Sequence, residues 1–206
     1  MASFISLEGG EGAGKSTQAR LLADALAGLG VPVLRTREPG GAPGAEHLRG
    51  LLLSGEIEWS APAETLLHFA ARAEHVAKTI RPALDAGMWV VCDRFYDSTL
   101  AYQGYGQGAD RATIAALVGL LGIVPDVTLV LDVSESVAVE RRSRRGMLAD
   151  RYERLDALFH ARVRQGFRDI AMSAPERCVM INADRTELEV HAAIMQALRA
   201  KALLPG

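Results

Sequence analysis

The chain has 206 residues, 49% of them hydrophobic and 23% charged, a balance that supports one or at most two folded domains and excludes a disordered chain. Its 23 basic and 25 acidic residues leave a net charge of −2, which argues against a nucleic acid held on a broad basic surface and for a small anionic partner. The longest uncharged stretch, Ala112 to Pro125, holds 14 residues with two glycines and a proline, short of the roughly 20 apolar residues that a membrane helix needs.

In chain order, the opening MASFISLEGG has no basic residues before its apolar ones. It reads as a strand rather than a signal peptide, so the cytoplasm is the expected compartment. Apolar runs bounded by turn residues predict strands over Ser3 to Glu8, Val31 to Arg37, Met88 to Asp93, Val127 to Val133 and Cys178 to Asn182. Helical periodicity lies between them, over Lys15 to Ala27 and again at Val190, Ile194, Ala197 and Leu198. Nearly unbroken apolar strands alternating with helices predict an α/β fold, a five-stranded parallel sheet covered on both faces. Ala61 to Ala86 reads as one long helix whose core stripe is Leu66, Phe69, Ala70, Ala73, Ala77, Ile80 and Leu84, bent near Pro82. Cys92 and Cys178 stand 86 positions apart with no metal-ligand spacing and read as small core hydrophobes. His47, His75, His160 and His191 show no ligand spacing and are expected on helix surfaces.

Directly after the first strand, Gly9, Gly10, Glu11, Gly12, Ala13, Gly14, Lys15, Ser16 and Thr17 satisfy G-x-x-x-x-G-K-[ST] and run into the first helix. Glycines let successive backbone N–H groups point inward, and the helix N-terminus adds partial positive charge, so the segment cradles a polyphosphate. Lys15 then reaches the β- and γ-phosphates and the Ser16 hydroxyl ligates Mg²⁺. Neither D-x-x-G nor N-K-x-D occurs in the chain, which argues against a GTPase-type switch. The chain is short for a motor or transporter ATPase, which leaves a small kinase.

A kinase acting on an anionic acceptor needs a second cluster of positive charge to align two repelling phosphates. Three segments offer it. Thr36-Arg37-Glu38-Pro39-Gly40-Gly41 is followed by Arg49 on a short helix starting near Gly44. Asp93-Arg94 ends an apolar strand at the carboxyl edge, where ligands bind in open sheets, with Asp93 able to hold a metal-bound water and Arg94 a phosphate. Arg141 to Arg154 carries six arginines in 14 residues, either a solvated helix end or a lid closing over the triphosphate.

Four separated motifs now coincide: Leu7 to Thr17, Thr36 to Gly41, Asp93-Arg94-Phe95-Tyr96-Asp97-Ser98-Thr99-Leu100-Ala101-Tyr102-Gln103-Gly104, and the arginine-rich segment around Arg145. Over nearly its whole length the chain resembles the bacterial thymidylate kinases of the lid-arginine type. The resemblance implies a single P-loop nucleoside-monophosphate-kinase domain over residues 1–206 with an arginine-rich lid at about 141–151. It implies transfer of the γ-phosphoryl group of MgATP to dTMP, with Mg²⁺ held near Ser16 and Asp93. It implies no stable nucleic-acid partner and no membrane, and a homodimer built on packed helices.

By the same resemblance, Lys15, Glu11, Arg94, Arg145 and Arg151 serve the transfer. The phosphate loop and Arg141 hold ATP. Arg49 and Arg94 clamp the acceptor phosphate, Glu38 orders its loop, Tyr102 crowds the 2′ position, and Ser98 and Gln103 line the cleft. Gly12 stands where relatives without lid arginines carry a basic residue. The family stacks thymine on a phenylalanine four residues before a base-binding arginine, whereas here His68 stands four before Arg72. Four residues turn about 400°, which puts His68 and Arg72 on one face. His68 is therefore the expected stacking group, with Phe69 the alternative and a pH-sensitive thymine affinity the consequence. A kinase for another nucleoside monophosphate stays open as a second reading.

Overall fold

The structure, a computed structural model, describes residues 2–145, 151, 152 and 154–204. Five parallel strands form one sheet: β1 (Phe4–Glu8), β2 (Val33–Arg37), β3 (Trp89–Asp93), β4 (Val127–Asp132) and β5 (Cys178–Asn182). Their order is β2-β3-β1-β4-β5, and every strand falls inside its expected span. The strand order reverses at β1, which pairs with β3 on one side and β4 on the other. The crevice beyond the carboxyl ends of these strands is where open sheets bind ligands.

Both faces of the sheet are covered, as the apolar runs require. Helices α1 (Lys15–Gly28) and α9 (Glu187–Ala200) pack on one face, where Leu22, Leu26, Ile194 and Leu198 meet Ile5, Leu7 and Leu129. Full burial of each such leucine or isoleucine contributes about 1.5–3 kcal/mol. The other face carries two clusters, one around Phe4, Val90, Cys92, Phe95 and Ile114, the other around Val130, Phe159, Val163, Phe167 and Cys178. Both cysteines are free and buried in these clusters.

Helix α2 (Pro43–Leu53) follows β2, and α3 (Ala61–His75) runs through a π-helical turn, Val76–Ile80, into α4 (Arg81–Asp85). Pro82 has no N–H to offer the turn before it, so the bend comes just ahead of it. Helix α5 (Tyr96–Thr99) continues into a second π-helical stretch, Leu100–Gly106. Helix α6 (Arg111–Leu121), not foreseen from periodicity, is capped by the Asp110 carboxylate and closed by Gly122 in the left-handed region. Helices α7 (Glu135–Arg145) and α8 (Ala157–Ser173) flank the arginine-rich segment. Most of the expected lid, residues 146–150, lies outside the described residues.

Two expectations are corrected here. Within the stripe assigned to the core, Phe69 and Ile80 are buried, but Leu66, Ala70, Ala73 and Ala77 are exposed. The buried face of α3 instead carries Glu64, His68, Arg72 and His75. Polar groups go inside when each finds a partner there, and these do. His75 is accordingly not a surface histidine: it is fully buried, between Glu38 and Thr36.

Candidate active site

The phosphate loop leaves β1 and reaches α1 through glycines in the left-handed region. Gly12 sits at φ 78°, and a Cβ there would stand 2.6 Å from the carbonyl oxygen of Ala138 on α7. The loop therefore has room for α7 only with glycine at this position. From α7, Arg141 donates to the carbonyls of Ala183 and Arg185, both at 2.9 Å, and lies 3.4 Å from that of Gly12. Lys15 donates to the Gly10 carbonyl at 2.7 Å and Ser16 to Asp93 at 2.5 Å. Burial, and then the nearby Arg94, lower the Lys15 amine to about 8.

Arg94 follows β3 with φ 73°, a conformation that costs a bulky residue strain and marks a place where the surroundings hold the chain. Glu8, at the end of β1, does the holding: its carboxylate accepts from the Phe95 N–H at 2.7 Å and from the Ser98 hydroxyl at 2.6 Å. Burial, and then the neighbouring Asp97, raise the Glu8 carboxyl to about 8. The Arg94 guanidinium donates to the Gly9 carbonyl and Ser98 Oγ, and pairs with Glu11 and with Tyr102 Oη. Tyr102 Oη in turn donates to Glu11 at 2.8 Å, and its ring stacks under Arg94 at 4.9 Å. Glu11, Arg94, Ser98 and Tyr102 thus form one unit beside the phosphate loop.

The loop after β2 is held from α3. Glu38, joined to Pro39 by a cis peptide bond, accepts from Arg72 Nε at 2.6 Å and contacts His75 Nδ1 at 3.0 Å. Arg49 donates to the Pro39 carbonyl at 2.7 Å. Arg72 also reaches the Phe95 carbonyl and Thr99, while its buried Nη1 has no hydrogen-bond partner among the described residues.

His68 and Phe69 separate clearly. His68 lines the cavity and bonds Tyr152 Oη through Nε2 at 2.9 Å. Phe69 packs in the core with Val90 and Phe95, beneath the Arg72 guanidinium at 4.8 Å, and does not line the cavity. As a substrate contact Phe69 is therefore corrected: its position one residue round the helix turns it into the sheet. The expected pH sensitivity of His68 is corrected as well. Burial, and then Arg72, Arg94 and Arg151, push its imidazole down to about 3. Arg151 departs too, since it pairs with Glu64 on α3 at 2.7 Å and does not line the cavity. The attraction of a fully buried carboxylate draws it to the acceptor side. Arg145 ends α7, and its side chain lies outside the described residues.

One cavity of about 530 Å³ collects these groups. Lys15, Ser16, Thr17 and Asp93 line it at the phosphate-loop end, and Arg49, His68, Arg72, Gln103 and Tyr152 line it elsewhere, with Glu11, Arg94, Ser98 and Tyr102 completing its wall. Glu8, Glu64, Thr99 and Tyr152 belong to this site or its support, and the sequence motifs assign none of them a role. Glu64 had a signal: it stands four residues before His68 and eight before Arg72, on the same helix face.

A parallel sheet with a phosphate loop after its central strand, opening on a cavity lined elsewhere with arginines, defines a P-loop nucleoside-monophosphate kinase. A family profile described as thymidylate kinase matches residues 7–194. The chain is 50% identical over 207 residues to a thymidylate kinase of Gluconobacter oxydans, covering 98% of this chain and 97% of that one. It is 52% identical over 199 residues to a thymidylate kinase of Rhizorhabdus wittichii, covering 95% and 96%. The crystal structure of thymidylate kinase from Ehrlichia chaffeensis superposes with a TM-score of 0.80 at 38% identity, over 96% of this chain and 98% of that one. The chain belongs to the thymidylate kinase family, enzymes that phosphorylate dTMP to dTDP.

Proposed function

We propose that this chain transfers the γ-phosphoryl group of MgATP to dTMP, giving ADP and dTDP, by in-line displacement without a general base. The observation that carries the reading is that Lys15 of the phosphate loop and the acceptor-side groups Arg49, Arg72 and Arg94 share one cavity. A phosphate monoester is already an anion at neutral pH, so positioning and charge neutralisation supply the rate. Arg49 and Arg94 clamp the acceptor phosphate, with Glu11 and Tyr102 holding the Arg94 fork in place. Lys15 spans the β- and γ-phosphates, Arg141 supports the ATP end, and Arg145 is the lid arginine for the transferred group. Tyr102 limits space at the sugar's 2′ position, and His68 offers its ring to the base.

No cluster of three or more His, Cys, Asp or Glu among the described residues is arranged to hold a metal ion. The Ser16 hydroxyl and Asp93 carboxylate, side by side at the loop, instead suit Mg²⁺ that arrives on the phosphates and keeps most of its waters. Bound there, the ion would neutralise charge on the β- and γ-oxygens.

Leu66, Ala70, Ala73 and Ala77 are exposed, as are Ala116, Gly119 and Leu120 of α6, a helix in contact with α3. Exposed apolar residues on two helices in contact suit a second copy of the chain, and a homodimer through α3 and α6 is part of the reading. No helix among the described residues is long and apolar enough to cross a membrane. A cytoplasmic location, where free nucleotides are at hand, is part of the same reading.

The test is ADP release from MgATP with dTMP, dUMP, dCMP, AMP, GMP or thymidine as acceptor. Clear preference for dTMP is expected. Preference for another monophosphate would keep the kinase and overturn the substrate.

A further inference from the structure

Glu64 is a carboxylate with no exposed surface, set in α3 behind the cavity wall. Its Oε1 accepts from Gln103 Nε2 at 2.8 Å, from Gln107 Nε2 at 2.8 Å and from Tyr152 Oη at 2.7 Å. Its Oε2 faces Arg151 Nη1 at 2.7 Å, which compensates the charge. An ionised carboxylate only accepts hydrogen bonds, so each of these partners has to turn a donor toward it. For Gln103 the consequence is directional. The two ends of an amide are chemically opposite, and with Nε2 on Glu64 the carbonyl Oε1 is the end left for the cavity that Gln103 lines.

The same carboxylate sets the neighbours. Tyr152 gives its one hydroxyl proton to Glu64, so Tyr152 Oη accepts from Gln103 Nε2 at 3.2 Å and from His68 Nε2 at 2.9 Å. His68 is therefore the neutral tautomer protonated on Nε2. Arg72 lines the same cavity, and its buried Nη1 has no hydrogen-bond partner among the described residues. A carbonyl acceptor presented by Gln103 complements a base edge that offers N–H beside a carbonyl, as N3 and O4 of thymine do. Cytosine offers a bare N3 beside an amino group, the opposite pattern.

We propose that Glu64 is a specificity-positioning residue: it locks the Gln103 amide with its carbonyl toward the base and so makes the acceptor pocket choose thymine over cytosine. The inference rests on the reading of dTMP as acceptor. A polar site that is correctly oriented rejects the mismatched edge strongly, because the wrong base leaves buried groups unpaired.

The experiment measures kcat and KM for dTMP and dCMP in the wild type, Glu64→Gln, Gln103→Ala and the double variant, with folding checked by circular dichroism. In Glu64→Gln the ratio of kcat/KM for dTMP to that for dCMP is expected to fall about tenfold, the scale of one misplaced hydrogen bond. Most of that fall should come through the KM for dTMP, with the KM for ATP little moved. In the Gln103→Ala background, Glu64→Gln should add nothing further to the ratio, because Glu64 acts through Gln103. An unchanged ratio in folded Glu64→Gln, or additive effects, overturns the proposal while leaving the dTMP reading intact. A wild type with no preference for dTMP over dCMP overturns both. Independently of any variant at position 64, ¹⁵N NMR of the wild type reads the Gln103 amide protons, assigned by their loss in Gln103→Ala. They should be slow to exchange and little shifted by dTMP, whereas a large shift on dTMP addition would mean that the amide donates to the base.

Discussion

Lys15 and Arg94 divide the chemistry at the scale of single residues. Removing the Lys15 amine takes away the only lysine in the site, and Lys15→Ala is expected to lower kcat on the order of 10²–10³-fold, read in the same ADP-release assay. The free-enzyme amine, lowered to about 8, is charged at neutral pH and loses its proton as pH rises through that value. Because only the charged form attracts phosphate, ATP affinity should be present at pH 7 and weaker at pH 9, which calorimetry can measure. Arg94 contacts Glu11, Ser98 and Tyr102 and has no such titration in reach. Arg94→Ala should depress kcat/KM for dTMP on the order of 10²–10³-fold while changing ATP affinity little, and normal dTMP kinetics would remove Arg94 from the phosphate clamp. His68 is held neutral down to about 3 by burial and by Arg72, Arg94 and Arg151, so the KM for dTMP should not change between pH 8 and pH 6 through this residue. That is the reverse of what an exposed histidine at the same position would do.

Helix α3 shows how an element can carry two apolar or polar stripes and bury the less obvious one. Its polar residues Glu64, His68, Arg72 and His75 face inward because Tyr152, Glu38, Thr99 and the Phe95 carbonyl satisfy them. Its apolar residues Leu66, Ala70 and Ala73, and Ala77 in the π-helical turn that follows, are left outside. Periodicity alone reports that a stripe exists, and hydrophobicity assigned this one to the core. The assignment failed because the energetic cost of burying a charge depends on partners that come from elsewhere in the chain. If the outer stripe is covered by a second copy, the wild type should sediment as a dimer. A Leu120→Arg and Ala73→Arg pair, placing charges on both helices of the face, should then sediment as a monomer with the fold retained.

Across the whole molecule, Arg177 ties the sheet together. It stands just before β5, forks onto Asp97 of α5 at 2.6 and 3.0 Å, reaches Thr128 of β4, and lies 5.3 Å over the Tyr96 ring. Asp97 is almost fully buried and its charge raises the Glu8 carboxyl, so losing the guanidinium leaves a buried carboxylate without its cation. Arg177→Ala is expected to destabilise the fold by about 3–5 kcal/mol, seen as a lower midpoint of urea unfolding at unchanged slope. It should also loosen the turn that carries Arg94, because Glu8 and Asp97 flank that turn on either side.

The sequence by itself determined the five strands, the phosphate loop and the acceptor motifs around Arg94. Each of these is written in contiguous residues, where backbone sterics, alternation and glycine placement act locally. It also put His68 and Arg72 on one helix face, since a helix turn is a local property. Only the tertiary structure decided which face of α3 is buried, that Phe69 belongs to the core, and that Arg151 pairs with Glu64. It also decided that one carboxylate orders Gln103, Tyr152 and His68. The hydrogen bonds behind these outcomes join residues 23 to 88 positions apart, and the free energy of a buried charge is set by the neighbours it finds after the chain has folded back, which no local pattern records.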